Sequence, residues 1–164
     1  EQQKAVAGAV GIGALKYADL SQNPQSSITF TWEEALALDG NSAPYLQYAY
    51  ARIASVQDKY AEKFPDGKLA EFPIAIGEEI ERRIVLRCLR FSEALIRGVE
   101  NYRPNFLAEY LYDLAQLYSS FYQNVPFLKA EEGVRESRVR ICMLVARVLK
   151  RGLELLGIEA PERI

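Results

Sequence analysis

The clearest pattern in the chain runs from residue 107 to 121, where Leu107, Tyr110, Leu111, Leu114, Leu117, Tyr118 and Phe121 recur at steps of three and four. That spacing puts them on one face of an amphipathic helix, and the stripe needs a partner surface. Arg103-Pro104 ends whatever precedes it, because proline has no N–H to donate and restricts the residue before it. A last helix over about Glu132 to Leu156 repeats the pattern with Ile141, Leu144, Val145, Val148 and Leu149. Between the long stop signals, Glu78 to Leu89 carries Ile80, Ile84 and Val85, and Ser92 is placed to cap a second segment holding Ala94, Leu95 and Val99, so the pair reads as a helical hairpin. Upstream, a long helix starts at Pro44, with Asn41 or Ser42 as its cap, and Phe64-Pro65-Asp66-Gly67 breaks it. Thr31 to Glu34 reads as a capping box for a short helix closed by Gly40. Glu1 to Leu20 reads as a helix of small and apolar residues whose abrupt start suggests a larger parent chain. Only Ser27 to Phe30 has strand character, and it is too isolated to make a sheet. The expected fold is all-α, a helix bundle preceded by a short helix and strand segment.

At 164 residues the chain can bury roughly 70% of its unfolded surface, enough for one self-sufficient domain with a small appendage. Cys88 and Cys142, 54 positions apart in apolar helical contexts, read as reduced core thiols of a cytoplasmic protein. With no histidine in the chain, no metal site is expected. The apolar opening AVAGAVGIGAL lacks a basic start and is too short to span a membrane.

Formal net charge is −2, which argues against coating nucleic acid by bulk electrostatics. Its distribution is uneven. Glu81 to Arg103 holds six arginines against three acids, and Glu131 to Arg151 six basic residues against three, leaving the remainder at −8. An acidic body with two basic helical regions suits a protein that orients one nucleic-acid ligand, although solvated helix faces look the same.

Catalytic signals are poor. Gly8, Gly11 and Gly13 are in the wrong order for a dinucleotide fingerprint and read as helix packing. Glu78, Glu79 and Glu81 have no histidine or facing acid with which to divide proton transfer, and read as a solvated helix face. Binding signals are better. In GNSAPYLQYAYAR, Gly40 to Arg52, the side chains of Tyr45, Tyr48 and Arg52 recur at i, i+3 and i+7 with Gln47 beside them. Flat rings, an amide and a guanidinium near one face can stack on bases and grip phosphate. Ordinary packing is the competing reading, since helix tyrosines commonly bury the ring and leave the hydroxyl wet. Tyr122, next to the core-facing Phe121 and just before Gln123 and Asn124, divides the same way between a loop pocket and helix-end packing.

The segment GNSAPYLQYAYAR resembles the entry to the carboxy-terminal anticodon-binding domain, of DALR type, of the arginyl-tRNA synthetases, and VGIGALKYADL is similar to what precedes it. Arg138 to Ile164, with Gly152, LLGI and the closing PERI, resembles the family's terminus. The resemblance implies a class I synthetase helix bundle over residues 41–164 and the end of a stem over 1–40 leading from a catalytic domain upstream. It implies that Tyr45 contacts the middle anticodon base, a cytosine in arginine tRNAs, with Tyr122 as the second wall and Tyr48 and Arg52 as neighbouring loop contacts. The family's terminal methionine is replaced by Ile164, which keeps apolar contact without the pliable thioether. Arg138 matches a recurrent family arginine, and pairing with Glu131 or Glu132 is expected of it. Arg140, Arg147 and Arg151 are plausible phosphate contacts.

By the same resemblance the parent is an ATP- and magnesium-dependent ligase of arginine and its tRNA. Its HIGH- and KMSKS-type motifs are not in this chain, so binding without catalysis and no cofactor are expected here. The expected partners are arginine tRNA and the catalytic domain of the same monomeric, cytoplasmic enzyme. A helical protein-interaction module is the alternative, and docking onto the catalytic body is a third role compatible with the first.

Overall fold

The computed structural model describes residues 2–27 and 29–164, which form α1 (Gln2–Leu20), α2 (Trp32–Ala35), α3 (Ala43–Lys63), α4 (Glu79–Leu89), α5 (Phe91–Glu100), α6 (Asn105–Asn124) and α7 (Val134–Leu155), with one 3-10 turn at Leu69–Glu71. Glu1 and Ile28 lie outside the described residues. Ser27, Thr29 and Phe30, the rest of the stretch expected to have strand character, form no strand. None of the helices is long and apolar enough to cross a membrane, among the described residues.

α6 and α7 pack on each other, and both touch α3 and α4; α5 rests on α6, and α1 on α3 and α6. Leu46 and Ile53 of α3, Ile84 of α4, Leu111 and Leu114 of α6, and Ile141, Leu149 and Leu153 of α7 are fully buried between them. Each such side chain contributes about 1.5 to 3 kcal/mol. The close α6–α7 approach depends on Gly152, where a Cβ would stand 2.4 Å from Cδ2 of Leu111. Of the three early glycines, only Gly13 is a packing position: a Cβ there would meet Gln47 at 2.9 Å, while Gly8 and Gly11 face open space.

The expected hairpin is instead two helices joined through one residue. Arg90 both ends α4 and precedes α5, so Ser92 lies inside α5 and caps nothing. Likewise α2 is a single turn ending at Leu36, and Gly40, at φ +77°, turns the chain into α3 rather than closing α2. The Thr31 hydroxyl does accept from the Glu34 amide at 3.3 Å.

Glu81 corrects the solvated-face reading. It is 1% exposed, and its carboxylate accepts from the amides of Gly77 (2.7 Å) and Glu78 (3.0 Å) and from Nε of Arg138 (2.7 Å). The start of α4 needs an acceptor for its free amides, and the buried guanidinium needs an anion. Arg138 therefore pairs with Glu81, not with Glu131 or Glu132, and also donates to the Pro126 carbonyl at 2.9 Å. Burial pushes the Glu81 carboxyl up, but the guanidinium and two amides outweigh it and hold its pKa below the ordinary value. Glu136 repeats the motif at the start of α7. Burial raises it, while the Gly133 and Glu136 amides, Arg135 and the Tyr60 hydroxyl together bring it below the ordinary value.

After α7 the chain reverses. Gly157 adopts φ +70°, its amide donates to Glu154 O at 2.9 Å, and the Ile158 amide donates to Leu153 O at 2.9 Å, a Schellman cap. Ile158 is buried, and the remaining tail runs back over α3.

Candidate nucleic-acid interface

Ser42 is the N-cap of α3, its hydroxyl accepting from the Tyr45 amide at 3.2 Å, and Pro44 occupies the first turn. Asn41 serves elsewhere, accepting from the buried Tyr17 hydroxyl at 2.6 Å. This start orients the exposed face of α3 beside α6. Tyr45 meets Tyr112 of α6 edge to face, with ring centroids 5.7 Å apart. Farther along both helices, the Arg52 guanidinium lies 4.5 Å from the Tyr48 ring centre and 4.8 Å from that of Tyr122. The order of these contacts shows that α3 and α6 run in the same direction here. Arg52 has no carboxylate partner among the described residues, so the two rings are what hold it. Behind Tyr122 stand Tyr118, at 6.1 Å, and Phe127, at 5.8 Å, which fix the ring from the core side.

These residues open onto a cavity of about 820 Å³ lined by Tyr48, Ala51, Arg52 and Ser55 of α3, Tyr122 and Gln123 of α6, and Glu162, Arg163 and Ile164 of the tail. Asp58, Lys59 and Glu62 edge its far end, and Arg163 reaches Asp58 at 3.8 Å. The structure thus brings together Tyr48, Arg52, Tyr122 and Ile164. Tyr45 does not line this cavity. It stands one turn earlier on α3 against Tyr112, and Tyr48 takes the place opposite Tyr122 expected of it.

Gln47 is a second correction. Instead of joining the binding face it is fully buried, its amide nitrogen donating to Ala9 O at 3.1 Å and Glu159 O at 2.7 Å. A residue two positions from Tyr45 points about 200° away around the helix, which is why neighbours in sequence part company here. Tyr112, and Gln116, whose amide donates to the Tyr112 hydroxyl at 2.8 Å, were not singled out from the sequence. A signal existed. Tyr112, Gln116, Ser119 and Gln123 follow one another at helical spacing just off the apolar stripe of α6.

Among the arginines considered for phosphate, Arg140 donates to the Phe72 carbonyl, and Arg151 lies 3.5 Å from Glu154. Cys88 and Cys142 are unpaired and buried, and burial pushes the Cys88 thiol up to about 12. Among the described residues no group of three or more His, Cys, Asp or Glu side chains converges as a metal site.

A family model described as the DALR anticodon binding domain matches residues 46–164. An arginine–tRNA ligase of Escherichia fergusonii is 46% identical over 165 residues, covering all of this chain and 28% of that protein. One from Escherichia coli strain K12 is 45% identical with the same coverage. The solved arginyl-tRNA synthetase of Thermus thermophilus superposes with a TM-score of 0.86 at 34% identity, over 95% of this chain and 27% of that one. That of Plasmodium falciparum gives 0.84 at 28% identity, over 98% and 28%. The chain spans little more than a quarter of the length of these relatives.

Proposed function

Since the chain belongs to the DALR anticodon-binding domain family, and is homologous along its whole length to the carboxy-terminal region of arginyl-tRNA synthetases, we propose that it binds the anticodon loop of arginine tRNA in the cavity between α3, α6 and the tail. The observation that carries this reading is Arg52 held between Tyr48 and Tyr122 at the cavity wall. A loop base stacks on an exposed tyrosine face, at about 1 to 3 kcal/mol per base, while the guanidinium meets phosphate or a base edge. Tyr48, 41% exposed, offers such a face directly. Ile164 supplies the apolar wall, and Tyr45 on Tyr112 extends the aromatic strip toward a neighbouring nucleotide.

In this reading the chain works within a longer, monomeric, cytoplasmic ligase that joins arginine to its tRNA. On the same reading the ATP and magnesium that the ligase uses act in its catalytic domain, whose HIGH- and KMSKS-type motifs this chain does not contain. This chain's part is recognition and placement, binding energy gained far from the reaction being used for selectivity. Contact with the catalytic domain is supported by Ile12 and Leu15 of α1, 60% and 53% exposed. The interaction-module alternative draws no support from the matches.

The test is a pair of titrations, with an arginine tRNA and with a version altered at the middle anticodon base. Tyr122→Ala should weaken binding of the first by about 1 to 3 kcal/mol and that of the second by less. Equal wild-type affinity for both RNAs refutes the proposal.

A further inference from the structure

Between α6 and α4 lies a groove of about 710 Å³. One wall carries Arg83, Arg87 and Arg90, at i, i+4 and i+7, so their backbone positions rise in steps of about 6 and 4.5 Å along one face of the helix. Asp113 is the one acid among the lining residues, which leaves the groove positive. Arg87 is built in place: its guanidinium lies 4.5 Å over the Tyr110 ring and Nη2 is 2.7 Å from Asp113. Its Nε is buried without an acceptor. Arg90 is held by Glu93 at 2.7 Å, and Arg83 is exposed with no carboxylate partner among the described residues. Gln116 lines this groove and also donates to Tyr112 one turn earlier on the same face of α6, so the arginine stripe and the tyrosine face adjoin there.

We infer that this groove holds the sugar-phosphate backbone of the RNA whose bases lie on the tyrosine face, an assignment that rests on the proposed function. Guanidiniums match phosphate oxygens in pairs, and the neutral donors of Gln116 and Ser120 suit the same ligand. The contact is indifferent to sequence. The groove on the other flank, between α3 and α7, carries Arg140, Arg147, Lys150 and Arg163 against Asp58 and Glu162, with Arg140 engaged by Phe72 O and Arg163 by Asp58, and it has no polar link to the tyrosine pair Tyr45–Tyr112 like that of Gln116.

The experiment is a salt titration of the whole chain, read by fluorescence anisotropy, with labelled arginine-tRNA anticodon stem-loop and with the version altered at the middle base. Circular dichroism checks the fold of each variant. Arg83→Gln should weaken both RNAs by the same factor, about fivefold or more at low salt, and lower the slope of log affinity against log salt by about 0.7. Lys150→Gln, removing one charge from the other flank, should change both quantities less. An equal effect of Lys150→Gln means bulk charge alone and overturns the inference, as does a loss of base selectivity in Arg83→Gln. If Tyr122→Ala impairs recognition while Arg83→Gln is silent, the groove assignment fails and the anticodon reading stands. Wild-type indifference to the anticodon overturns both.

Discussion

Substituting Glu81 by leucine tests whether the ion pair that anchors α4 behaves as a unit. Glu81 and Arg138 are 1% and 8% exposed, 2.7 Å apart, and Glu81 also takes two amides of the α4 entry. Removing the carboxylate leaves a guanidinium buried with only the Pro126 carbonyl close by and Glu78 at 3.9 Å. Stranding such a charge costs about 3 to 5 kcal/mol. For a chain of this size that lowers Tm by roughly 6 to 20 °C. Arg138→Met should cost about the same for the mirrored reason. The double variant strands no charge and loses only the amide cap, about 0.5 to 2 kcal/mol. Urea denaturation of all four proteins closes the cycle, the double variant being more stable than either single. A double variant whose loss equals the sum of the two would refute the reasoning, because the pair would then carry no coupling.

Two further outcomes follow from the packing and the carboxylates. Gly152→Ala puts a Cβ 2.4 Å from a fully buried Leu111 methyl, and the overpacked α6–α7 contact should lose about 1 to 3 kcal/mol, measured as a lower urea midpoint with unchanged m-value. For Glu81 and Glu136 the folded pKa lies below the unfolded one, so their contribution to stability is present above the ordinary carboxylate range, near 4.3, and is lost as pH falls through the depressed values. Urea midpoints should therefore hold between pH 7 and 5 and fall below about 4, and Glu136→Gln should flatten that fall.

Periodic elements read true because a stripe of seven side chains specifies its own face: the α6 pattern from Leu107 to Phe121 is buried much as spaced. Junctions did not: α4 passes into α5 at Arg90 with no glycine or proline to mark the joint, and α2 ends at Leu36, four residues before the glycine expected to close it. The buried polar residues were the least legible. Glu81 looks like any acid in an acidic run, and only Arg138, 57 positions on, makes it interior. At the interface, Tyr48, Arg52 and Tyr122 could be nominated from residue type, but which tyrosine faces which depends on how α3 sits against α6. Gln47 shows the same limit in reverse, an amide beside tyrosines that points into the interior.

That glutamine joins three distant parts of the chain, Ala9, its own helix and Glu159, across separations of 38 and 112 residues. It therefore sets an order of assembly. The bundle can collapse from α3 to α7, but the cavity wall closes only when the last few residues have been made and have folded back onto a helix completed a hundred residues earlier. A chain stopped just short of Glu159 would retain its core and its rings and still lack the wall. Readiness to bind therefore depends on the segment after Gly157 as much as on the helices, and is the first property that loss of that segment would remove.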